Sequence, residues 1–111
     1  MNCQELGTAL QSDARPIVLI VNNSTYGTIR MHQEKNYPSR ISGTDLINPD
    51  FVALGKAYGF YAERIEKTED FAAAFVHALA SPTGAVLDLN VAAEAITPSL
   101  TIDDLRRSKT F

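Results

Sequence analysis

The sequence predicts an α/β domain in which helices flank a layered parallel sheet. The run Ile17-Val18-Leu19-Ile20-Val21 is apolar and β-branched without alternation, the pattern of a strand covered on both faces. Two further extended runs, residues 60–65 and 85–91, each follow a stretch with helical spacing. Helices alternating with short strands join parallel strands in one sheet.

Leu6, Ala9 and Leu10 recur at helical spacing, which predicts a first helix over residues 2–12. Arg15-Pro16 stops it, because proline cannot donate to the helix ladder and pushes its predecessor toward an extended conformation. Residues 17–21 are then expected to be the central strand. Residues 22–27 form a polar turn, and residues 28–37 a short helix that fades into a loop. Asn48-Pro49-Asp50 reads as the start of another helix, in that order a capping side chain, a proline at the first helical position and an early acid, with Phe51, Leu54 and Tyr58 on one face and Gly59 at its end. Residues 60–65 contain Glu63 and Arg64, which predicts an edge position. Thr68 is expected to cap the next helix, whose buried row is Phe71, Phe75 and Leu79, before Ser81-Pro82-Thr83-Gly84 breaks it. Residues 85–91 make a third strand, and residues 102–107 a short capped helix in a tail spanning residues 99–111.

At 111 residues, 45% apolar and 21% charged, the composition is that of one globular domain at most. A formal charge of −3 supplies no electrostatic footprint for nucleic acid. The longest apolar run is far short of the ~20 residues that span a bilayer as a helix. The first residues lack the basic and apolar segments of a secretory signal, so a cytoplasmic location is expected. With Cys3 as the sole cysteine, no internal disulfide forms.

In open parallel sheets ligands bind beyond the carboxyl ends of the strands, which directs attention to Asn22-Asn23-Ser24-Thr25-Tyr26-Gly27. Its amide, hydroxyl and carbonyl oxygens are hard neutral donors of the kind magnesium accepts beside phosphate oxygens. Gly27 stands where backbone approaches a ligand or begins a helix whose free N–H groups face an anion. A polar turn after a strand is also simply a turn.

The wider pattern narrows the choice. An apolar strand ending in Asn22-Asn23, then Ser24-Thr25-Tyr26-Gly27, then a helix with Ile29, Arg30, Gln33 and Glu34, resembles thiamine-diphosphate-dependent enzymes of the acetolactate synthase and benzoylformate decarboxylase type. Met1-Asn2-Cys3-Gln4-Glu5-Leu6-Gly7-Thr8-Ala9 resembles the helix that follows a Gly-Asp-Gly turn in that family. Asn48-Pro49-Asp50-Phe51-Val52-Ala53-Leu54, Ala57-Tyr58-Gly59 and Val86-Leu87-Asp88-Leu89 are similar to its C-terminal domain, so the resemblance reaches to about Pro98.

The resemblance implies a thiamine-diphosphate-binding fold over residues 1–111, truncated at its N-terminal strand. Carried over by position, Asn23 gives magnesium its side-chain oxygen and Thr25 its backbone carbonyl. Asn22 supports the turn, and Ser24, Tyr26 and Gly27 complete the cofactor-binding segment. The family's acidic ligand, in Gly-Asp-Gly, is expected to precede Met1. No catalytic residue is expected in this chain, since the activating glutamate comes from another domain. The implied activity is decarboxylation of 2-oxo acids, or their carboligation through a thiamine-bound enamine, with these residues inactive on their own. Other domains of a parent enzyme, a small 2-oxo acid and a homo-oligomeric state are the implied partners, with neither nucleic acid nor membrane. The alternative is a non-catalytic α/β binding or oligomerisation module.

Further side chains admit two readings. Arg30, His32, Lys35 and Arg40 form either an anion-facing patch or, more commonly, a solvated helix face. Glu5 and Glu34 are candidates for orienting groups near the cofactor or for helix salt bridges. Tyr26 and Met31 line a pocket or pack on the sheet, and Cys3 is reactive or buried. His32 and His77 have no zinc-type partners at ligand spacing.

Overall fold

The structure, a computed structural model, describes residues 2–108. Its elements in chain order are α1 (Glu5–Gln11), β1 (Ile17–Asn22), α2 (Gly27–Asn36), α3 (Phe51–Ala57), β2 (Tyr61–Ile65), a 3-10 turn (Thr68–Asp70), α4 (Phe71–Ala80), β3 (Ala85–Asn90) and α5 (Ile102–Arg107). They divide into two compact units. One joins the residues up to Asn22 with Pro49–Asn90, and the other joins Asn23–Asn48 with the residues from Val91 onward.

The first unit holds a three-stranded parallel sheet in the order β1-β3-β2. On one face Val18, Ile20, Ala62 and Val86 pack against Leu6, Ala9 and Leu10 of α1 and Val52 of α3. Gly55 of α3 comes so near the sheet that a β-carbon there would lie 3.0 Å from side-chain carbons of Ala62 and Val86. On the other face Ile65, Ala85 and Leu87 pack against Ala74 and Ala78 of α4.

Sequence alone placed the central strand at residues 17–21; the structure places it at β3. Residues Ala85 to Asp88 are all buried, whereas Leu19 and Val21 are 45% and 69% exposed at an edge. β3 pairs on both sides and lies under α4, whereas β1 pairs only with β3 within the described sheet. The apolar run is a strand, as predicted, but it is half covered.

Three local details also differ. Asp50, not Asn48, caps α3, its carboxylate accepting from the Val52 and Ala53 amides at 3.0 Å each. Thr68 opens a 3-10 turn and makes no side-chain cap, so α4 starts at Phe71. On α4, Phe71 and Phe75 pack against the core as expected, stacked on each other, but Ala74 and Ala78 are the fully buried residues and Leu79 is 64% exposed. Small side chains let the helix backbone approach the sheet, and Leu79 falls outside that contact.

In the second unit α5 packs on α2. Thr101 and Asp104 form a reciprocal capping box at the start of α5, as the sequence predicts for a short helix over these residues. Its Ile102 and Leu105 are buried. Glu34, fully buried on α2, is gripped by Arg106 through two bonds, Nη2 to Oε1 at 2.6 Å and Nε to Oε2 at 3.0 Å. The Ser39 amide donates to the same carboxylate at 2.8 Å.

Among the described residues no helix is long and apolar enough to cross a membrane.

Candidate functional site

In the first unit, the sheet face that packs on α1 and α3 changes character toward the carboxyl ends of its strands. Side chains two apart on a strand share a face, so Ile20 leads to Asn22, Val86 to Asp88 and Ala62 to Arg64. Apolar contact thereby gives way to a polar bridge across the sheet. Asp88 is 1% exposed and accepts from Asn22 Nδ2 at 3.1 Å and from Arg64 Nε at 3.1 Å. Arg64 also reaches Asp50 at 3.5 Å. The Ala53 amide, assisted by the charge of Arg64, holds the Asp50 carboxyl below its ordinary pKa.

Residues Asn23 to Gly27 belong to the second unit. Ser24 adopts a left-handed φ of +53°, which reverses the chain between Asn23 and Thr25. Asn23 Oδ1 accepts from the Thr25 amide at 3.2 Å. Thr25 forms an antiparallel bridge with Asp45, and the bridging bonds run from Tyr26 N–H to the Thr44 carbonyl (2.8 Å) and from Leu46 N–H to the Ser24 carbonyl (2.9 Å). In such a bridge the flanking groups make the bonds, so the N–H and C=O of Thr25 itself point to the opposite side. That is the side on which its N–H meets the Asn23 side chain. The buried Thr25 hydroxyl is anchored to the Thr44 carbonyl at 2.8 Å. A β-carbon on Gly27 would lie 3.0 Å from Asn23 Nδ2, so glycine here leaves room for the Asn23 amide.

Two hard oxygens, Asn23 Oδ1 and the Thr25 carbonyl, thus belong to the same side of one short segment. An amide oxygen has two lone pairs, and the Thr25 N–H uses one. The donor chemistry suits magnesium next to phosphate oxygens. Among the described residues there is no group of three or more His, Cys, Asp or Glu side chains that could hold a metal ion.

The other residues singled out by sequence fall into place one by one. Arg30 keeps only 13% of its side chain exposed and pairs with Glu94 at 3.4 Å, while its buried Nε has no hydrogen-bond partner among the described residues. His32, Lys35 and Arg40 are exposed, as on a solvated surface. Glu34 is an ion-paired structural group whose partner is remote in sequence, not a neighbour on its own helix. Its pKa is lowered, chiefly by the hydrogen bonds from Arg106 against the opposing effect of burial, with help from the Ser39 amide. Glu5 is exposed on α1, Tyr26 is 49% exposed and Met31 is half-buried. Cys3 is exposed, against the expectation of burial, and lines an apolar cavity of about 460 Å3 with Leu6, Val18, Ile20 and Leu54. His77 packs edge-on against Tyr61, whose hydroxyl bonds to Glu63. Burial, reinforced by Glu63, pushes the Tyr61 phenol up to about 12.

Sequence reasoning did not weigh Asp88 or Arg64 as site residues. The available signal was an acid inside the otherwise apolar run Val86-Leu87-Asp88-Leu89. A strand that buries an acid also supplies its donors from neighbouring strands.

Comparison with known proteins identifies the family. Residues 1–89 match the model of the thiamine pyrophosphate enzyme C-terminal TPP binding domain, thiamine pyrophosphate being another name for thiamine diphosphate. The chain is 39% identical over 93 residues to an acetolactate synthase large subunit of Parasynechococcus marenigrum, covering 82% of this chain and 15% of that protein. It is 42% identical over 72 residues to the mitochondrial acetolactate synthase of Schizosaccharomyces pombe, covering 65% of this chain and 11% of that one. It therefore spans only a small part of the length of these relatives. The crystal structure of benzoylformate decarboxylase from Polynucleobacter necessarius superposes with a TM-score of 0.70 at 27% identity, covering 86% of this chain and 18% of that one. The parallel sheet with flanking helices is the fold they share, and the chain belongs to the thiamine pyrophosphate enzymes, within their C-terminal TPP binding domain.

Proposed function

We propose that this chain supplies the diphosphate- and magnesium-binding turn of an enzyme that acts on 2-oxo acids. The observation that carries this reading is the pairing of Asn23 Oδ1 with the backbone of Thr25, which brings two oxygens to one side of a turn braced by the Thr44 carbonyl. Asn23 and the Thr25 carbonyl would hold the magnesium ion. The cofactor, when bound, supplies the carbon centre that attacks the 2-oxo group and accommodates the charge that decarboxylation leaves. This chain's residues position it: Ser24 turns the backbone, Gly27 leaves room for the Asn23 amide, and Asn22 and Tyr26 flank the ligating pair. Whether the parent releases an aldehyde or joins two 2-oxo acids depends on pocket residues outside these elements.

In the full-length gene product, Asn23→Ala is expected to weaken magnesium-dependent retention of thiamine diphosphate at least tenfold, with the circular dichroism spectrum unchanged. Cofactor content equal to wild type at limiting magnesium refutes the assignment.

An isolated polypeptide of these 111 residues is expected to bind the magnesium–cofactor pair weakly. Asn23 and Thr25 are neutral donors, and magnesium gives up water reluctantly without anionic ligands. A dissociation constant of about 1 µM by calorimetry, near −8 kcal/mol, contradicts this.

The same polypeptide is expected to self-associate, most simply as a homodimer, through β1. Leu19 and Val21 are exposed on a strand paired on one side only within the described sheet, and such edges recruit a further strand. Sedimentation equilibrium checks this. A mass of 12.1 kDa at every concentration refutes it.

A further inference from the structure

We infer that Asp88 is a positioning residue for the cofactor turn, acting through the side chain of Asn22; this rests on the function proposed above. A carboxylate that is 1% exposed in the middle of a sheet is costly unless its lone pairs are filled. Here a neighbouring strand on each side contributes one donor, Asn22 from β1 and Arg64 from β2. Only a carboxylate serves both at once, because each oxygen accepts from one donor. An apolar side chain at this position would continue the packing of Val86 and Ala62, and an amide would satisfy one neighbour and present an N–H₂ group to the other. The acid is therefore matched to two tasks. It fixes Arg64, which reaches the cap of α3 at Asp50, and it fixes Asn22, the last residue of β1. The turn that carries Asn23 and Thr25 begins at the next peptide bond. Held by its side chain as well as by the strand, Asn22 is the covalent neighbour through which Asp88 acts on that turn.

The test is a double-mutant cycle in the full-length gene product, reading the apparent affinity for thiamine diphosphate at fixed magnesium together with kcat at saturating cofactor. Asp88→Asn is expected to weaken cofactor affinity at least tenfold, with kcat within about twofold of wild type once the site is filled. Asn22→Ala leaves the Asp88–Arg64 pair in place and is expected to give a similar loss. The double variant is expected to be no weaker than the weaker single variant, because both substitutions break one link. Additive losses in the double variant, or Asp88→Asn with lowered thermal stability but unchanged cofactor affinity, overturn the inference and leave Asp88 a structural residue. Should Asp88→Asn fail to fold, Asp88→Glu takes its place. It keeps the charge beside Arg64 but displaces the acceptor from Asn22, and unchanged affinity there also overturns the inference. If the wild-type protein itself binds no thiamine diphosphate, the proposed function fails instead, an outcome distinct from all of these.

Discussion

Gly84→Ala is expected to lower the melting temperature by roughly 15–30 °C, through two effects that add. Gly84 sits at φ +102°, a conformation that L side chains rarely adopt and that costs about 1–3 kcal/mol. A β-carbon there would also lie 2.6 Å from the Pro16 carbonyl oxygen and 2.9 Å from the Phe60 ring. The oxygen cannot retreat, because it already accepts from the Ala85 amide at 2.9 Å where β3 begins beside β1. Overpacking of this kind costs a further 1–3 kcal/mol or so. A total of about 4 kcal/mol is a large part of the stability of a small domain, and each 1 kcal/mol corresponds to roughly 4–8 °C at this size. Gly59→Ala is the control, since φ there is +83° but nothing lies within 4 Å of the new methyl. It is expected to cost only the strain, about 1–3 kcal/mol. Thermal denaturation of both variants separates strain from collision, and equal losses contradict this account.

Arg106→Ala is expected to destabilise the second unit by about 3 kcal/mol and to change its response to acid. The substitution leaves a fully buried carboxylate with the Ser39 amide as its remaining recorded donor, and breaking a buried pair costs about 3–5 kcal/mol. The lower end applies because Arg106 keeps 33% of its side chain exposed. The sign of the pH dependence follows from the direction of the Glu34 shift. Its folded pKa lies below the ordinary value of 4.5, so the pair's stabilisation is fully present above that value and is lost as pH falls through the folded pKa. Without Arg106, burial dominates and the pKa of Glu34 moves upward. With the folded pKa raised the sign reverses: protonating Glu34 relieves the unpaired buried charge, so the variant's deficit relative to wild type is largest near neutral pH and shrinks as pH falls. Carboxyl chemical shifts of Glu34 followed through an acid titration check both directions, and an unmoved midpoint in the variant contradicts them.

What could be read in the sequence was mostly local. The limits of α5 were legible because Thr101 and Asp104 carry their own capping chemistry, and the site turn was legible because polar residues follow an apolar strand abruptly. Strand order was not. Ile17 to Val21 and Ala85 to Leu89 are similarly apolar, and nothing within either run says which of them pairs on both sides. Helix spacing showed the core-facing side of α4 through Phe71 and Phe75, which pack there, but it carried the row on to the exposed Leu79 and passed over the fully buried Ala74 and Ala78. The ion pairs joining Glu34 to Arg106 and Asp88 to Arg64 connect residues distant along the chain, and no local pattern announces them.

Because α4 meets the core through Phe71, Ala74, Phe75 and Ala78, its opposite side is open to redesign. Val76 and Leu79, 62% and 64% exposed, can be exchanged for glutamate or lysine at little cost in packing, raising the charge of a helix whose segment Phe71–Ala80 carries no acid or permanent cation. Such a variant offers a more soluble form of the chain for crystallisation or magnetic resonance, with the turn at Asn23 and the bridge at Asp88 untouched.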